Sequence, residues 1–150
     1  MTEAADNLVG LAGERFDLVV ERGKIREFAR ATHAQHDAYF DAAAPPIPPT
    51  FLAAAALWAP YEEALWDRAG RNAQRALHAE QEFIFPGPPP RAGTKLAGYP
   101  RIEDIYHRQG RRGGSLRFIV LVTEFKDDAG NTVAVSRSTA VETETPPEEE

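Results

Sequence analysis

The stretch from Phe51 to Ala59 limits this chain more than any other. It holds Phe51, Leu52, the four consecutive alanines Ala53 to Ala56, Leu57, Trp58 and Ala59, with no polar side chain among them. Thr50 is placed to cap a helix here, just after Pro49, and Pro60 should kink or end it. A helix apolar on every face is expected to be buried. Its small side chains would let a sheet approach the axis closely. The run is far too short to span a membrane. A second, more amphipathic piece is expected over residues 61–69, with Leu65 and Trp66 as its apolar contacts.

Everything after that helix reads as strand. Leu77 to Phe85 alternates, with Leu77, Ala79, Gln81, Phe83 and Phe85 on one side. Residues 86–93 are a Pro/Gly loop. Thr94 to Arg108 reads as a long strand, bent or at an edge because of Pro100. Gly110 to Gly114 is a turn. Ser115 to Lys126 carries Phe118-Ile119-Val120-Leu121-Val122 at its centre, as a strand buried on both faces would. Residues 127–131 form a hairpin turn. Thr132 to Thr143 alternates Val133, Val135 and Val141 with smaller or polar residues. Before the helix, Phe16 to Glu21 reads as a strand and Lys24 to Thr32 as a short amphipathic helix through Ile25, Phe28, Ala29 and Thr32. Residues 1–14 signal at most a short helix around Asn7 to Ala12. Residues 33–49 are a long connection that Pro45, Pro46, Pro48 and Pro49 keep irregular or extended. Such loops are often functional. Antiparallel strands around one apolar helix make an α+β architecture.

The 150 residues suffice for one domain with its own core. There are no cysteines, which excludes a disulfide scaffold, a thiol nucleophile and thiolate metal sites, and fits a reducing cytoplasm. The formal charge of −6 is concentrated in Glu142, Glu144, Glu148, Glu149 and Glu150, so the body is close to neutral. No basic face points to nucleic acid. The acidic, polar start has no signal-peptide pattern. A cytoplasmic location is expected.

Four histidines occur: His33, His36, His78 and His107. His33 and His36 with Asp37 and Asp41 could be read as a metal site, but an irregular proline-flanked segment fixes no ligand geometry, and loop polarity is favoured. His36 beside Asp37 is also a candidate general base with its orienter. Arg108, Arg111 and Arg112 cluster at a turn, which suits either a solvated hairpin tip or a phosphate contact. No phosphate-binding loop, dinucleotide fingerprint or nucleophile elbow is present. No metal or cofactor is expected.

Several linked segments resemble the MaoC-like dehydratases, in particular their N-terminal-type domain, from about Phe16 to Thr143. Residues 24–32 look like the helix before the active-site loop, and Tyr39-Phe40-Asp41 like the loop's close. Ile47-Pro48-Pro49-Thr50-Phe51-Leu52 resembles the entry to the central helix. Leu77-His78-Ala79-Glu80-Gln81-Glu82-Phe83 and residues 90–96 resemble two strand starts. Arg112-Gly113-Gly114-Ser115-Leu116 and Asp128-Ala129-Gly130 complete the set. The resemblance implies a hot-dog fold, an antiparallel sheet wrapped around a central apolar helix. It implies residues 1–14 as an N-terminal extension, 15–143 as the domain and 144–150 as an acidic disordered tail.

Catalytic members of the family carry Gly-Asp-x-Asn-Pro-x-His in the loop after the first helix. The Asp and His move water across the double bond of an enoyl thioester, (R)-specifically. At the matching positions this chain has Ala34 and Tyr39. Alanine has no titratable group and a phenol holds its proton at neutral pH. The resemblance therefore implies the non-catalytic, acyl-binding subunit of a heteromeric enoyl-CoA hydratase or (3R)-hydroxyacyl-ACP dehydratase. Its partners would be acyl-CoA or acyl-ACP and a catalytic hot-dog subunit, in a dimer or dimer of dimers. Thr50, Phe51, Ala54, Ala55, Arg111, Arg112, Gly113 and Gly114 are the expected substrate contacts. The alternatives are a homodimeric hydratase using His36, Asp37 and Tyr39, and a non-enzymatic acyl-CoA binder.

Overall fold

The computed structural model describes residues 8–59, 65–111 and 113–144. The expected bend at Pro60, residues 61–64 of the second helical piece, Arg112, the start of the N-terminal helix at Asn7 and residues 145–150 of the tail lie outside them.

The frame is a five-stranded antiparallel sheet in the order β1-β3-β4-β5-β2. The strands are β1 (Phe16–Val19), β2 (Ala76–Ile84), β3 (Lys95–Gln109), β4 (Ser115–Lys126) and β5 (Thr132–Thr143). β4 sits at the centre, as its apolar run requires: Ile119, Val120 and Val122 are all buried. Helix α1 (Arg22–Ala31) follows β1 and buries Ile25 and Ala29. In the long connection Pro46 makes an antiparallel bridge to Arg91, whereas Pro49 lies in a turn closed by Phe51 N donating to Pro48 O. Ile47 donates to Pro90 O and Ala92 to Pro45 O, each at 2.9 Å, a short bridge that ties this loop to the start of β3.

Pro100 keeps its place in the ladder, paired with Thr123. β3 is an interior strand, and its bulge lies at Ile102/Asp104. The Pro100 carbonyl accepts from Gly13 N, so its nitrogen points to the same side, where residues 8–13 make only scattered bonds to β3. A missing N–H costs little there. A bulge also revises β2. Ala79 is the extra residue between His78 and Glu80, so Leu77 pairs with Val141 and stays exposed, while Gln81, Phe83 and Phe85 turn inward.

The alanine-rich run differs most from expectation. It forms a seven-residue 3₁₀ helix, Phe51–Leu57 (the central helix), and Thr50 makes no side-chain cap. Ten residues between Pro49 and Pro60 are too few for a stable α-helix, and Pro60 removes the next donor and crowds the carbonyl of Ala56. Nor is it buried all round. Phe51, Leu52 and Ala55 are, but Ala53 and Ala56 are exposed and Leu57 is 83% exposed.

Two apolar clusters cover the inner face of the sheet. At one end the central helix packs Phe51, Leu52 and Ala55 against Phe16, Phe125 and Ala134. Phe16 lies opposite Gly98, where an added Cβ would run into its ring. At the other end helix α2 (Leu65–Arg68) and Ala69 pack on Ile102, Ile105 and Ile119. Arg117 and the buried Glu142 lock α2 down. Arg117 donates to Glu142 at 2.9 Å and to Ala69 O at 2.7 Å, and Glu142 also accepts from Asn72 N.

Candidate functional site

A cavity of about 1180 Å³ lies on the inner face between the two clusters. The central helix supplies one wall through Leu52, Ala53, Ala55, Ala56, Leu57 and Ala59. In a 3₁₀ helix residues three apart eclipse, so Ala53 and Ala56 form one ridge of methyl groups, and Ala59, just past the helix, is also on the lining. Leu65, Trp66 and Arg68 of α2 and the segment Gly13-Glu14 close the far end. The floor is the sheet: Phe16, Pro100, Leu121 and Phe125, with Gln81, Thr123, Ser136 and Ser138. Mostly apolar and of ligand-binding size, it suits an extended acyl chain or a fused ring system.

Of the sequence-derived substrate contacts, Ala55 lines this cavity; Thr50, Phe51 and Ala54 do not. Thr50 is exposed and Phe51 is core. Arg111, Gly113 and Gly114 lie on the β3–β4 turn. There Glu144 accepts from Ser115 N at 2.9 Å, so a carboxylate already occupies a donor that an anion would use. Arg108 lies over the stacked rings of Tyr106 and Phe118.

The alternative catalytic set also stands apart from the cavity lining. His33 has φ 54° and is the left-handed residue ending α1, with His33 N donating to Arg30 O and Ala34 N to Ala29 O. Ala34, which the resemblance matches to the family's Asp, is thus held in a helix terminus. His36 caps the short 3₁₀ turn Asp37–Tyr39, its Nδ1 accepting from Ala38 N at 3.2 Å. That bond engages Nδ1 in closing the turn. Asp37 is exposed, and Tyr39 packs partly into the core with its ring 5.8 Å from His36. No group of three or more metal-ligating side chains occurs among the described residues.

A second hollow of about 700 Å³ opens beside Trp58, between β1, β3 and the 127–130 turn. Of its cations Arg15, Lys95 and Lys126, the first and last flank Tyr99, but Asp17, Glu21, Asp127 and Asp128 share the surface. Asp127 itself closes the hairpin: hydrogen bonds from the Asn131 backbone and side chain hold its carboxyl below the usual range. The mixed charge selects for neither sign of ligand.

Sequence reasoning missed the floor residues. The signal was present in β5, where Ala134, Ser136, Ser138 and Ala140 alternate with larger residues. A strand that turns small and polar side chains inward leaves room for something else.

A family model described as the FAS1-like dehydratase domain region matches residues 7–136. Comparison with curated proteins gives no match. Among solved structures, the C-terminally truncated HadBC (3R-hydroxyacyl-ACP dehydratase) complex from Mycobacterium tuberculosis is 24% identical, over 89% of this chain and 96% of that one, with a TM-score of 0.69. A MaoC-like dehydratase is 25% identical over 92% of this chain and 43% of its own, with a TM-score of 0.75. The ChsH1–ChsH2 complex from Mycobacterium tuberculosis is 13% identical over 98% of this chain and 90% of that one, with a TM-score of 0.68. For HadBC and ChsH1–ChsH2 the likeness is one of fold.

Proposed function

This chain belongs to the FAS1-like dehydratase-region family and is a MaoC-like hot-dog domain, and from that premise we propose that it is the acyl-thioester-binding, non-catalytic subunit of an (R)-specific hydratase/dehydratase. One observation carries the reading. A cavity of ligand-binding size with an apolar wall is present, while the resemblance matches Ala34 and Tyr39 to the family's Asp and His. Hydration of an enoyl thioester needs an acid and a base over Cα and Cβ. Neither His36 nor Asp37 lines the cavity, and among its lining residues the one carboxylate is Glu14, with no histidine beside it in the lining.

The missing pair would come from a second hot-dog chain in a dimer or dimer of dimers. β2 is hydrogen-bonded on one side only and exposes Leu77 and Ile84, as an edge open to pairing would. Both HadBC and ChsH1–ChsH2 are described as complexes, which supports a heteromer. The substrate would be an acyl-CoA or an acyl carrier protein, with Arg111 the remaining candidate for a phosphate contact.

Photolabelling tests the assignment. A long-chain acyl-CoA with a terminal diazirine, bound to the full chain and irradiated, should attach within residues 52–59 or 121–125. Attachment confined to the hollow beside Trp58 and Tyr99, or none above that of the free fatty acid, would overturn it.

A further inference from the structure

The floor of the cavity carries more polarity than a plain hydrocarbon needs. Between the two apolar clusters runs a band of hydroxyls and one amide crossing three strands. Thr123 on β4 pairs with Ser136 on β5, and Ser138 on β5 pairs with Gln81 on β2. All four side chains line the cavity. The amide is already committed: Gln81 Nε2 donates to Ser136 Oγ at 2.9 Å and to Arg137 O at 3.1 Å. Because Ser136 accepts there, its own proton is free to point at a ligand. Thr123 is only 9% exposed, yet neither its hydroxyl nor that of Ser138 has a hydrogen-bond partner among the described residues.

Packing a bare alkyl chain on these hydroxyls would strip their water and return nothing, and unpaired buried polar groups are costly. Resting on the acyl-binding reading above, we infer that the cavity selects acyl thioesters whose tail bears a hydroxyl or keto oxygen, received by Thr123, Ser136 and Ser138. All three hydroxyls can donate, which serves either oxygen. The ligand's apolar stretches would lie on Ala53, Ala56, Ala59 and Leu121. The preference is positional, since the band is a few side chains wide and flanked by apolar clusters on both ends.

Calorimetric titration of the full chain with dodecanoyl-CoA tests this, against a series of monohydroxy and monoketo dodecanoyl-CoAs with the oxygen moved carbon by carbon through the distal half. One position or two adjacent ones should bind about tenfold tighter than the plain chain. Thr123→Val and, separately, Ser138→Ala should each reduce that advantage, read as the ratio of the oxygenated chain's affinity to that of dodecanoyl-CoA within the same variant. Two variants guard against one that folds poorly. Equal affinity for every member of the series, or an advantage that survives both substitutions, would overturn the inference and leave the acyl-binding reading intact. Absence of binding by any thioester would overturn both.

Discussion

Replacing Glu142 with alanine should be among the most damaging single changes outside the apolar core. Glu142 is 5% exposed, and its partner's side chain is 18% exposed. Its carboxylate takes Arg117 Nη1 at 2.9 Å and the Asn72 N–H, so one substitution removes two charge-assisted bonds. It also leaves a guanidinium in a place that water reaches poorly. Breaking one side of such a pair costs about 3–5 kcal/mol. Arg117 keeps its bonds to Ala69 O and Gly70 O, which argues for the lower end, about 3 kcal/mol. With a urea dependence of roughly 2 kcal/mol per molar, the unfolding midpoint should fall by about 1.5 M. The double variant Arg117→Met, Glu142→Leu should recover much of that loss, because no lone charge remains. Glu80→Ala is the control: Glu80 is exposed, its carboxylate has no partner among the described residues, and the change should stay within about 0.5 kcal/mol. A Glu142→Ala cost under about 1 kcal/mol, or a double variant as unstable as the sum of the single ones, would refute the reasoning. Because Arg117 holds the end of α2, Glu142→Ala should also weaken acyl-CoA binding.

Ala56→Phe should lower the longest acyl chain bound, read from affinities across a chain-length series, whereas Ala54→Phe should not, since Ala54 is off the cavity lining. His33→Gly should stabilise by up to about 1 kcal/mol in denaturant titration, because a left-handed helix terminus strains any side chain but suits glycine. The Glu103 carboxyl lies below the ordinary glutamate value, first through its hydrogen bonds from Arg137 at 2.5 and 3.2 Å, against a smaller opposing effect of burial. Its contribution is therefore complete above the unfolded-state value and lost as pH falls through the folded one. Glu103→Gln should flatten stability on that acid limb and change little of its slope near neutrality, as melting temperatures across pH will show.

Strand number, the central place of β4 and the α+β class were legible because apolar alternation and turn residues are local signals. Ser115 to Lys126 could hardly be anything else. What stayed hidden depended on one-residue events. The bulge at Ala79 reversed Leu77 without changing the composition of β2. The tolerance of Pro100 depended on what lay beside it, which no local pattern reveals. The alanine run was read as a fully buried helix, but its all-round apolarity reflects a cavity on one side, a core on another, and the surface that leaves Leu57 exposed. The polar floor was not singled out, because serines on a strand look like a solvent face until the sheet's inner side is known.

The central claim, an acyl-binding subunit without its own acid/base pair, is tested most directly by turnover. The purified chain is given a long-chain enoyl-CoA, and loss of the enoyl absorbance is followed before and after adding a hot-dog partner that carries the intact Gly-Asp-x-Asn-Pro-x-His loop. The account predicts no hydration by the chain alone and, with the partner, a rate on long chains above that of the partner by itself. Hydration by the chain alone, abolished by His36→Ala, would contradict it.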